Sequence, residues 1–232
     1  TITGYYKLEK PEKEGIITVF ENAFAISSEN FAKSNKLRNL AVGKKIVATN
    51  DNNSKKEIKI TQGKSQKEFN INNLRSNIVT IRIGQGHGSG FFVGNNGYLL
   101  TNAHVVGDSK SVQIITSSGM EIEGQVIRKS KSRDVSLIKV PLKITNSLYL
   151  KFQIPDIASD VYAAGTPIDE ALKTTVTKGI ISNIRVDNAS GLKFIQADAS
   201  ISPGNSGGPL FDKFGNVIGI SVAKYNANSA EG

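Results

Sequence analysis

Ser206 lies in a glycine-rich segment, Gly204–Leu210, with the sequence GNSGGPL. Because glycine lacks a Cβ atom, it takes positive φ at little cost, and this segment can turn its backbone N–H groups around the serine hydroxyl. A hydroxyl beside converging N–H donors is what acyl transfer requires, and the N–H groups of Gly204, Asn205 and Ser206 are the candidate oxyanion donors. Taken alone, the segment fits a tight surface turn with a solvated serine equally well.

The chain contains two histidines that could serve as the general base for this serine. His104 lies in Tyr98–Val106, YLLTNAHVV, where an apolar strand runs into a small polar turn that can hold the imidazole in one orientation. His87 lies in the glycine-rich segment Gly84–Gly90 and is expected to be a mobile loop residue. We therefore predict that His104 is the base.

Asp134 is the candidate for the third member of a catalytic triad. It directly precedes the apolar, alternating segment Val135–Val140, which reads as a buried strand. A carboxylate there would accept the Nδ1–H bond of His104, fix its tautomer and stabilise the imidazolium. Considered alone, Asp134 could equally pair with Arg133 at the surface.

Three positions, Gly204, Ser206 and Gly208, also match the nucleophile elbow of α/β-hydrolases. In that fold the catalytic histidine follows the serine, whereas both histidines of this chain precede Ser206. Pro209 would also disrupt the helix expected behind the elbow. The pattern therefore argues against an α/β-hydrolase.

The elements around these residues read as short β-strands separated by turn signals at Asn95–Gly97 and Ser117–Gly119. The predicted strands are Ile78–Ile83, Phe91–Val93, Val112–Ile115, Gly124–Ile127, Val161–Ala164, Gly179–Ile184, Phe194–Ala197 and Val217–Val222. Their even spacing favours two small antiparallel barrels over βαβ units. His104 and Asp134 then belong to the first barrel and Ser206 to the second, with the site in the cleft between them.

The order His, Asp, Ser along the chain and the residues of the surrounding motifs resemble the HtrA/Deg branch of the trypsin-like serine proteases. The matching segments are Gly88–Val93, Gly97–Val106, Asp134–Ile138, Gly165–Pro167, Thr175–Ser182 and Gln196–Leu210. The resemblance covers about residues 74 to 226. It implies a mainly β protein with two six-stranded antiparallel barrels of the chymotrypsin type, catalysis through an acyl-enzyme, and no cofactor or metal.

The same resemblance implies that Ile201 lines the primary specificity pocket together with the strand that carries Ile220, Ser221, Val222 and Lys224. A branched apolar residue narrows such a pocket and offers no charge. Cleavage after small aliphatic residues is therefore expected, rather than after lysine or arginine. Relatives continue with a further strand that closes the second barrel. The protease domain, 74–232, is expected to have an incomplete second barrel if that strand is truly absent, and a complete one if the sequence is only cut there.

In residues 1–73 we identify no family resemblance, and they are predicted to be a basic α+β N-terminal extension of unknown role. Glu12–Lys36 carries apolar residues at helical spacing, and Val42–Ala48 and Glu57–Ile60 read as strands. The segment 44–67 holds seven lysines against Asp51 and Glu57. A solubilising face is the favoured interpretation, and contact with an anionic surface is the alternative. The segment has no arginine and one aromatic residue near it, which argues against nucleic-acid binding.

The amino-acid composition excludes only a few classes of protein. The chain has 232 residues, a net charge of +9 and no cysteine, which excludes a disulfide framework and a cysteine nucleophile. It contains no apolar run long enough to span a membrane. By the resemblance, the compartment is extracytoplasmic, bacterial periplasm or secreted, and the partners are protein or peptide substrates. Oligomer formation is left open.

Three functions are compatible with these observations. The first is an active serine endopeptidase. The second is a binding module that keeps the trypsin fold without activity, which the retention of all three triad residues disfavours. The third is an active protease that residues 1–73 localise as a separate anion- or protein-binding module.

Overall fold

Strands with alternating apolar residues, between residues 78 and 139, pair into a closed antiparallel barrel of six strands, in the order β2-β3-β4-β7-β6-β5. Its strands are β2 (Ile78–Ile83), β3 (Gly86–Gly94), β4 (Tyr98–Thr101), β5 (Ser111–Ile115), β6 (Glu121–Ser130) and β7 (Val135–Lys139). The structure is a computed structural model and describes residues 4–6, 60, 63–166, 174–186, 193–202 and 204–222. Apart from Ile60, the predicted helix and two strands of the N-terminal extension lie outside the described residues.

A second closed barrel, in the order β1-β10-β9-β8-β11-β12, is formed by the later strands and one early strand. Its members are β1 (Gly4–Tyr6), β8 (Asp160–Gly165), β9 (Thr175–Val186), β10 (Lys193–Ala197), β11 (Pro209–Asp212) and β12 (Val217–Val222). The predicted architecture of two six-stranded antiparallel barrels is therefore confirmed.

Strand β1 closes the second barrel. It lies between β10 and β12 and pairs with both, with Tyr5 opposite Ile195 on one side and Ser221 on the other. Gly4–Tyr6, which the sequence analysis assigns to a separate N-terminal extension, thus form part of the second barrel. Pairing on both edges leaves no exposed strand edge at this position.

The alternation of side chains along the strands creates three apolar clusters. In β3, Phe92 faces the interior of the first barrel, whereas its neighbour Phe91 faces the interface between the barrels, because successive strand residues point to opposite faces. A third cluster, including Ile181, Ile195 and Leu210, fills the second barrel. The packed interface holds the two barrels together, and the site described below lies where their loops meet.

Two short helices complete the described part of the chain. Helix α1 (Ile71–Ser76) begins at Asn70, whose side chain accepts a hydrogen bond from the Asn73 N–H, and its Leu74 packs into the interface cluster. Helix α2 (Ala103–Val106) follows β4 directly. Sequence analysis predicts neither helix. No helix within the described ranges is long and apolar enough to cross a membrane.

Candidate active site

His104 is positioned by the junction between strand β4 and helix α2. The buried residue Asn102 lies between the strand and the helix, and its side-chain amide donates a 2.9 Å hydrogen bond to the carbonyl oxygen of Asp134. The His104 side chain is 48% exposed, and His104 lines a cavity together with Gly204 and Ser206 of the second barrel. A short, anchored helix therefore presents the imidazole to solvent in a defined place.

Asp134 contacts His104 at two points. Its Oδ2 lies 2.6 Å from His104 Nδ1, and its Oδ1 accepts a 2.8 Å hydrogen bond from the His104 backbone N–H. The carboxylate side chain is 17% exposed, whereas the imidazole is about half exposed. This two-point contact fixes the carboxylate relative to both the ring and the backbone of His104.

The backbone of Asp134 takes an uncommon conformation, with φ of 51°. Aspartate is one of the residue types that tolerate this left-handed region, and single residues in it are frequent at functional sites. The turn that contains it is closed by a hydrogen bond from the Asp134 N–H to the Lys131 carbonyl oxygen. The turn delivers the carboxylate to His104 at the start of strand β7.

The segment around Ser206 is held by the first barrel through Ser89 of strand β3, a fully buried residue. The Ser89 N–H donates to the Ser206 carbonyl oxygen at 2.8 Å, and the Ser89 hydroxyl donates to the Gly204 carbonyl oxygen at 2.6 Å. The Thr166 N–H in turn donates to the Ser89 hydroxyl oxygen at 2.8 Å. Ser89 thus connects both barrels to the two residues that flank Asn205.

Sequence analysis assigns Ser89 no role of its own, although it lies within a motif of the resemblance. The only feature of the sequence that could have indicated a role for Ser89 is its position between two glycines, Gly88 and Gly90. A Cβ atom on Gly88 would lie 2.7 Å from the Val105 side chain and 3.1 Å from the Ser206 carbonyl oxygen. Glycine at this position lets strand β3 lie close to both helix α2 and the Ser206 turn. This close approach is seen only in the folded structure.

The glycines after Ser206 are required by their surroundings. Gly207 has φ of 86°, and a Cβ atom there would lie 2.2 Å from the Ser89 carbonyl oxygen and 2.3 Å from Thr101 Oγ1. The Gly207 N–H also donates to the carbonyl oxygen of Ser221 in strand β12 at 2.9 Å. The turn is therefore packed against both barrels.

We expect Gly207→Ala to lower the free energy of unfolding by more than the cost of positive φ alone. Gly119 is a matched control, because it has nearly the same φ of 83° but no atom within 4 Å of its Cβ position. Gly119→Ala should cost about 1–2 kcal/mol for backbone conformation. Gly207→Ala should add roughly 1–3 kcal/mol for overpacking. Urea unfolding of both variants measures the difference, and equal losses would contradict close packing at this turn.

A cavity of about 420 Å³ brings the candidate residues together. His104, Ser206, Gly204 and His87 all line it. The expectation that His87 lies in a mobile loop is wrong: His87 belongs to strand β3, is half-buried, and pairs with Arg82 of strand β2. Backbone pairing between two strands outweighs the weak strand preference of the glycines around it.

Of the three candidate oxyanion donors, Asn205 already has a partner in this structure. Its N–H donates a 3.0 Å hydrogen bond to the Ser202 carbonyl oxygen, which removes it from the set of available donors. The Asn205 side chain is buried, and its Oδ1 has no hydrogen-bond partner among the described residues. Gly204, with φ of 94°, turns the chain immediately before it.

The candidate pocket residues lie on the second-barrel side of Ser206. Ile201 is half-buried and packs against the core of the second barrel, and Ile220 and Val222 are buried in strand β12. Ser221 is fully buried as well, and its N–H donates to the Gly208 carbonyl oxygen at 2.8 Å. Lys224 lies outside the described residues.

Charged groups rim the site on the first-barrel side. Asp108, which also lines the 420 Å³ cavity, is hydrogen-bonded by Lys131 and Lys129, and these bonds lower the pKa of its carboxyl below the ordinary value. The described residues contain no group of three or more histidine, aspartate or glutamate side chains that could hold a metal ion.

Known proteins are similar to this chain in both sequence and fold. A probable periplasmic serine endoprotease, DegP-like, of Rhizobium meliloti is 37% identical over 147 residues, which cover 61% of this chain and 29% of that protein. The putative serine protease HhoA of Synechocystis is 38% identical over 154 residues, covering 60% of this chain and 37% of that protein. The chain thus spans about a third of the length of these curated relatives.

Solved structures agree with these relatives. The serine endoprotease from Yersinia pestis is 29% identical, with a TM-score of 0.58 over 67% of this chain and 56% of that chain. The HtrA-type protease AlgW is 31% identical, with a TM-score of 0.60 over 68% of this chain and 54% of that chain. The resemblance to HtrA/Deg proteases is therefore confirmed. The model of the trypsin-like peptidase domain matches residues 88–220, more than half of the chain, and the chain belongs to this family.

Proposed function

We propose that this chain is a serine endopeptidase of the HtrA type in which Ser206, His104 and Asp134 form the catalytic triad. The observation that carries the proposal is the two-point contact of Asp134 with His104, at 2.6 and 2.8 Å, beside a cavity that Ser206 also lines. These are the roles of nucleophile, base and orienting carboxylate in acyl transfer.

The reaction proceeds in two halves. Ser206 Oγ attacks the peptide carbonyl carbon while its proton passes to His104 Nε2, and the C=O π electrons move onto the carbonyl oxygen. The tetrahedral intermediate collapses, the C–N bond breaks, and His104 gives its proton to the leaving amine. Water then attacks the acyl-enzyme with His104 again as base, which releases the acid and restores Ser206.

The developing oxyanion is bound by the backbone N–H groups of Gly204 and Ser206. Loss of one such donor typically costs about 2.7–4 kcal/mol of transition-state stabilisation. The Ser89 hydroxyl donates to the Gly204 carbonyl oxygen and so holds the 204–205 peptide, which lies between the two peptides that carry these donors.

The substrates are proteins or peptides, cleaved after small aliphatic residues. Ile201 supplies the branched apolar wall, and strand β12 carries no acidic residue that could pair with lysine or arginine. The names of the curated relatives support an extracytoplasmic, periplasmic location. Contact of the 44–67 segment with an anionic surface is a separate proposal, since most of that segment lies outside the described residues.

Internally quenched peptides that differ only in the residue before the scissile bond test this function. We expect kcat/KM with valine or alanine there to exceed that with lysine by about tenfold or more, because an apolar pocket does not compensate the desolvation of a charge. Hydrolysis of none of the peptides by a folded protein would favour the silent binding module. A preference for lysine would refute the aliphatic pocket.

A further inference from the structure

A second and larger cavity, of about 880 Å³, adjoins the 420 Å³ cavity of the candidate active site. Gly86 and His87 of strand β3 line both cavities and form the boundary between them. A polypeptide that leaves the catalytic cavity across these two residues enters the larger one. We call the larger cavity the outer cavity.

The wall of the outer cavity is the outward face of the first barrel. Thr80 and Arg82 alternate along strand β2 and line it, whereas Val79 and Ile81 between them face the barrel core. Arg75 of helix α1 lines it as well. The remaining lining is rich in hydroxyl groups, including those of the 116–118 turn.

The lining of the outer cavity contains more positively than negatively charged side chains. It contains two arginines, Arg75 and Arg82, and one carboxylate, Glu121. Glu121 lies 3.9 Å from Arg82 and accepts a 2.6 Å hydrogen bond from Gln113, so it offsets one cation. Arg75 is half-buried, and its guanidinium has no hydrogen bond or ion pair with any described residue. The lining therefore carries one cation more than the carboxylate can neutralise.

His87 adds an unsatisfied polar atom at the boundary. Its Nε2 is buried and has no hydrogen-bond partner among the described residues. Because His87 lies directly opposite Arg82 in the register of β2 and β3, the two side chains are on the same face of the sheet. A buried polar atom without a partner is costly, and a ligand that crosses this boundary can satisfy it.

The position of the outer cavity relative to Ser206 indicates which half of a substrate it meets. Ile201 and strand β12, the elements of the proposed specificity pocket, line neither cavity. The route across Gly86 and His87 leads away from them, toward the first barrel. We propose that the outer cavity binds the leaving-group side of the substrate and favours an acidic side chain there, held by Arg75 and Arg82; this assignment of direction rests on the proposed function.

A scan of acidic residues along the leaving-group side tests this proposal. Internally quenched peptides carry glutamate, glutamine or lysine in turn at the first four positions after the scissile bond, and mass spectrometry locates the cut. We expect kcat/KM with glutamate to exceed that with glutamine about five- to tenfold at one or two positions, mainly through KM, and lysine to be poorest. The preference should weaken with added salt.

Matched variants assign the effect to the two arginines. Arg75→Gln and Arg82→Gln should each reduce the glutamate-to-glutamine ratio about two- to threefold, and the double variant should bring it close to one. Arg185→Gln removes an exposed arginine of strand β9, far along the chain in the second barrel, and should leave the ratio unchanged. An equal effect of all three variants would mean that net charge, and not the outer cavity, sets the preference.

A binding measurement keeps this inference separate from the catalytic proposal. The same peptides, labelled with fluorescein, are titrated against Ser206→Ala protein, and fluorescence anisotropy gives Kd without cleavage. A Kd five- to tenfold lower for glutamate than for glutamine, lost in the Arg75→Gln, Arg82→Gln background, supports the acidic site even if the wild-type protein cuts nothing. Equal Kd values, or tighter binding of lysine, overturn it.

Discussion

Ser206→Ala is expected to lower kcat for peptide hydrolysis by about 10⁶-fold while leaving the fold intact. The backbone contacts of the turn do not depend on the hydroxyl: the Ser206 carbonyl oxygen accepts from the Ser89 N–H, and the Gly207 N–H donates to Ser221. Alanine retains both contacts. The variant should therefore unfold in urea at nearly the same midpoint as the wild-type protein.

Two measurements make this result specific to Ser206. A fluorophosphonate should label the wild-type protein at Ser206 and should not label Ser206→Ala. Ser182→Ala removes an exposed hydroxyl from strand β9 and should retain both labelling and hydrolysis. Casein hydrolysis that survives in a sequence-verified Ser206→Ala preparation would rule out Ser206 as the nucleophile.

Asp134→Asn should lower kcat by about 10⁴-fold, the second largest effect that we expect. The two carboxylate oxygens accept from different groups of His104, Oδ2 from Nδ1 and Oδ1 from the backbone N–H. An asparagine has one oxygen acceptor, and if it keeps the backbone bond, its NH₂ group faces Nδ1. The ring proton then moves to Nε2, which can no longer accept the proton of Ser206.

The comparison variant for this effect is Asp156→Asn, which neutralises an exposed carboxylate remote in sequence from the site and should change kcat less than twofold. Kinetics with a quenched valine peptide separate the two variants. Fluorophosphonate labelling of Asp134→Asn should be slow but still directed to Ser206, because the nucleophile remains in place. Wild-type kcat in Asp134→Asn would show that Asp134 does not orient His104.

Local patterns in the sequence predict much of the fold because barrel strands alternate between core and surface. Val112 and Ile114 of strand β5 are buried, while Ser111, Gln113 and Ile115 between and beside them are not. Such alternation is visible in a few neighbouring residues and needs no knowledge of partners. The confirmed family resemblance is equally local, since it rests on short motifs such as the one around Ser206.

Pairing between distant segments explains where sequence analysis is wrong or incomplete. Strand β1 is three residues long, and its place depends on pairing with strands β10 and β12, where Tyr5 lies opposite Ile195 and Ser221, far along the chain. His87 lies among glycines that favour a loop, yet the ladder with β2 holds it in a strand. Neither outcome is encoded in local spacing, because both follow from which edges the folded barrels leave available.

Residue types and chain order alone nominate Ser206, His104 and Asp134, since acyl transfer needs a hydroxyl, an imidazole and a carboxylate. Tertiary structure alone determines how they are held: the 2.6 Å approach of His104 Nδ1 to Asp134 Oδ2, the bonds from Ser89 to the Ser206 loop, and the engagement of the Asn205 N–H by Ser202. It also determines that Arg75 and Arg82 line one cavity. The chemical groups that a site offers depend on side-chain type and can be read from the linear sequence. The distances between those groups and their orientations arise only when residues far apart in the chain pack together.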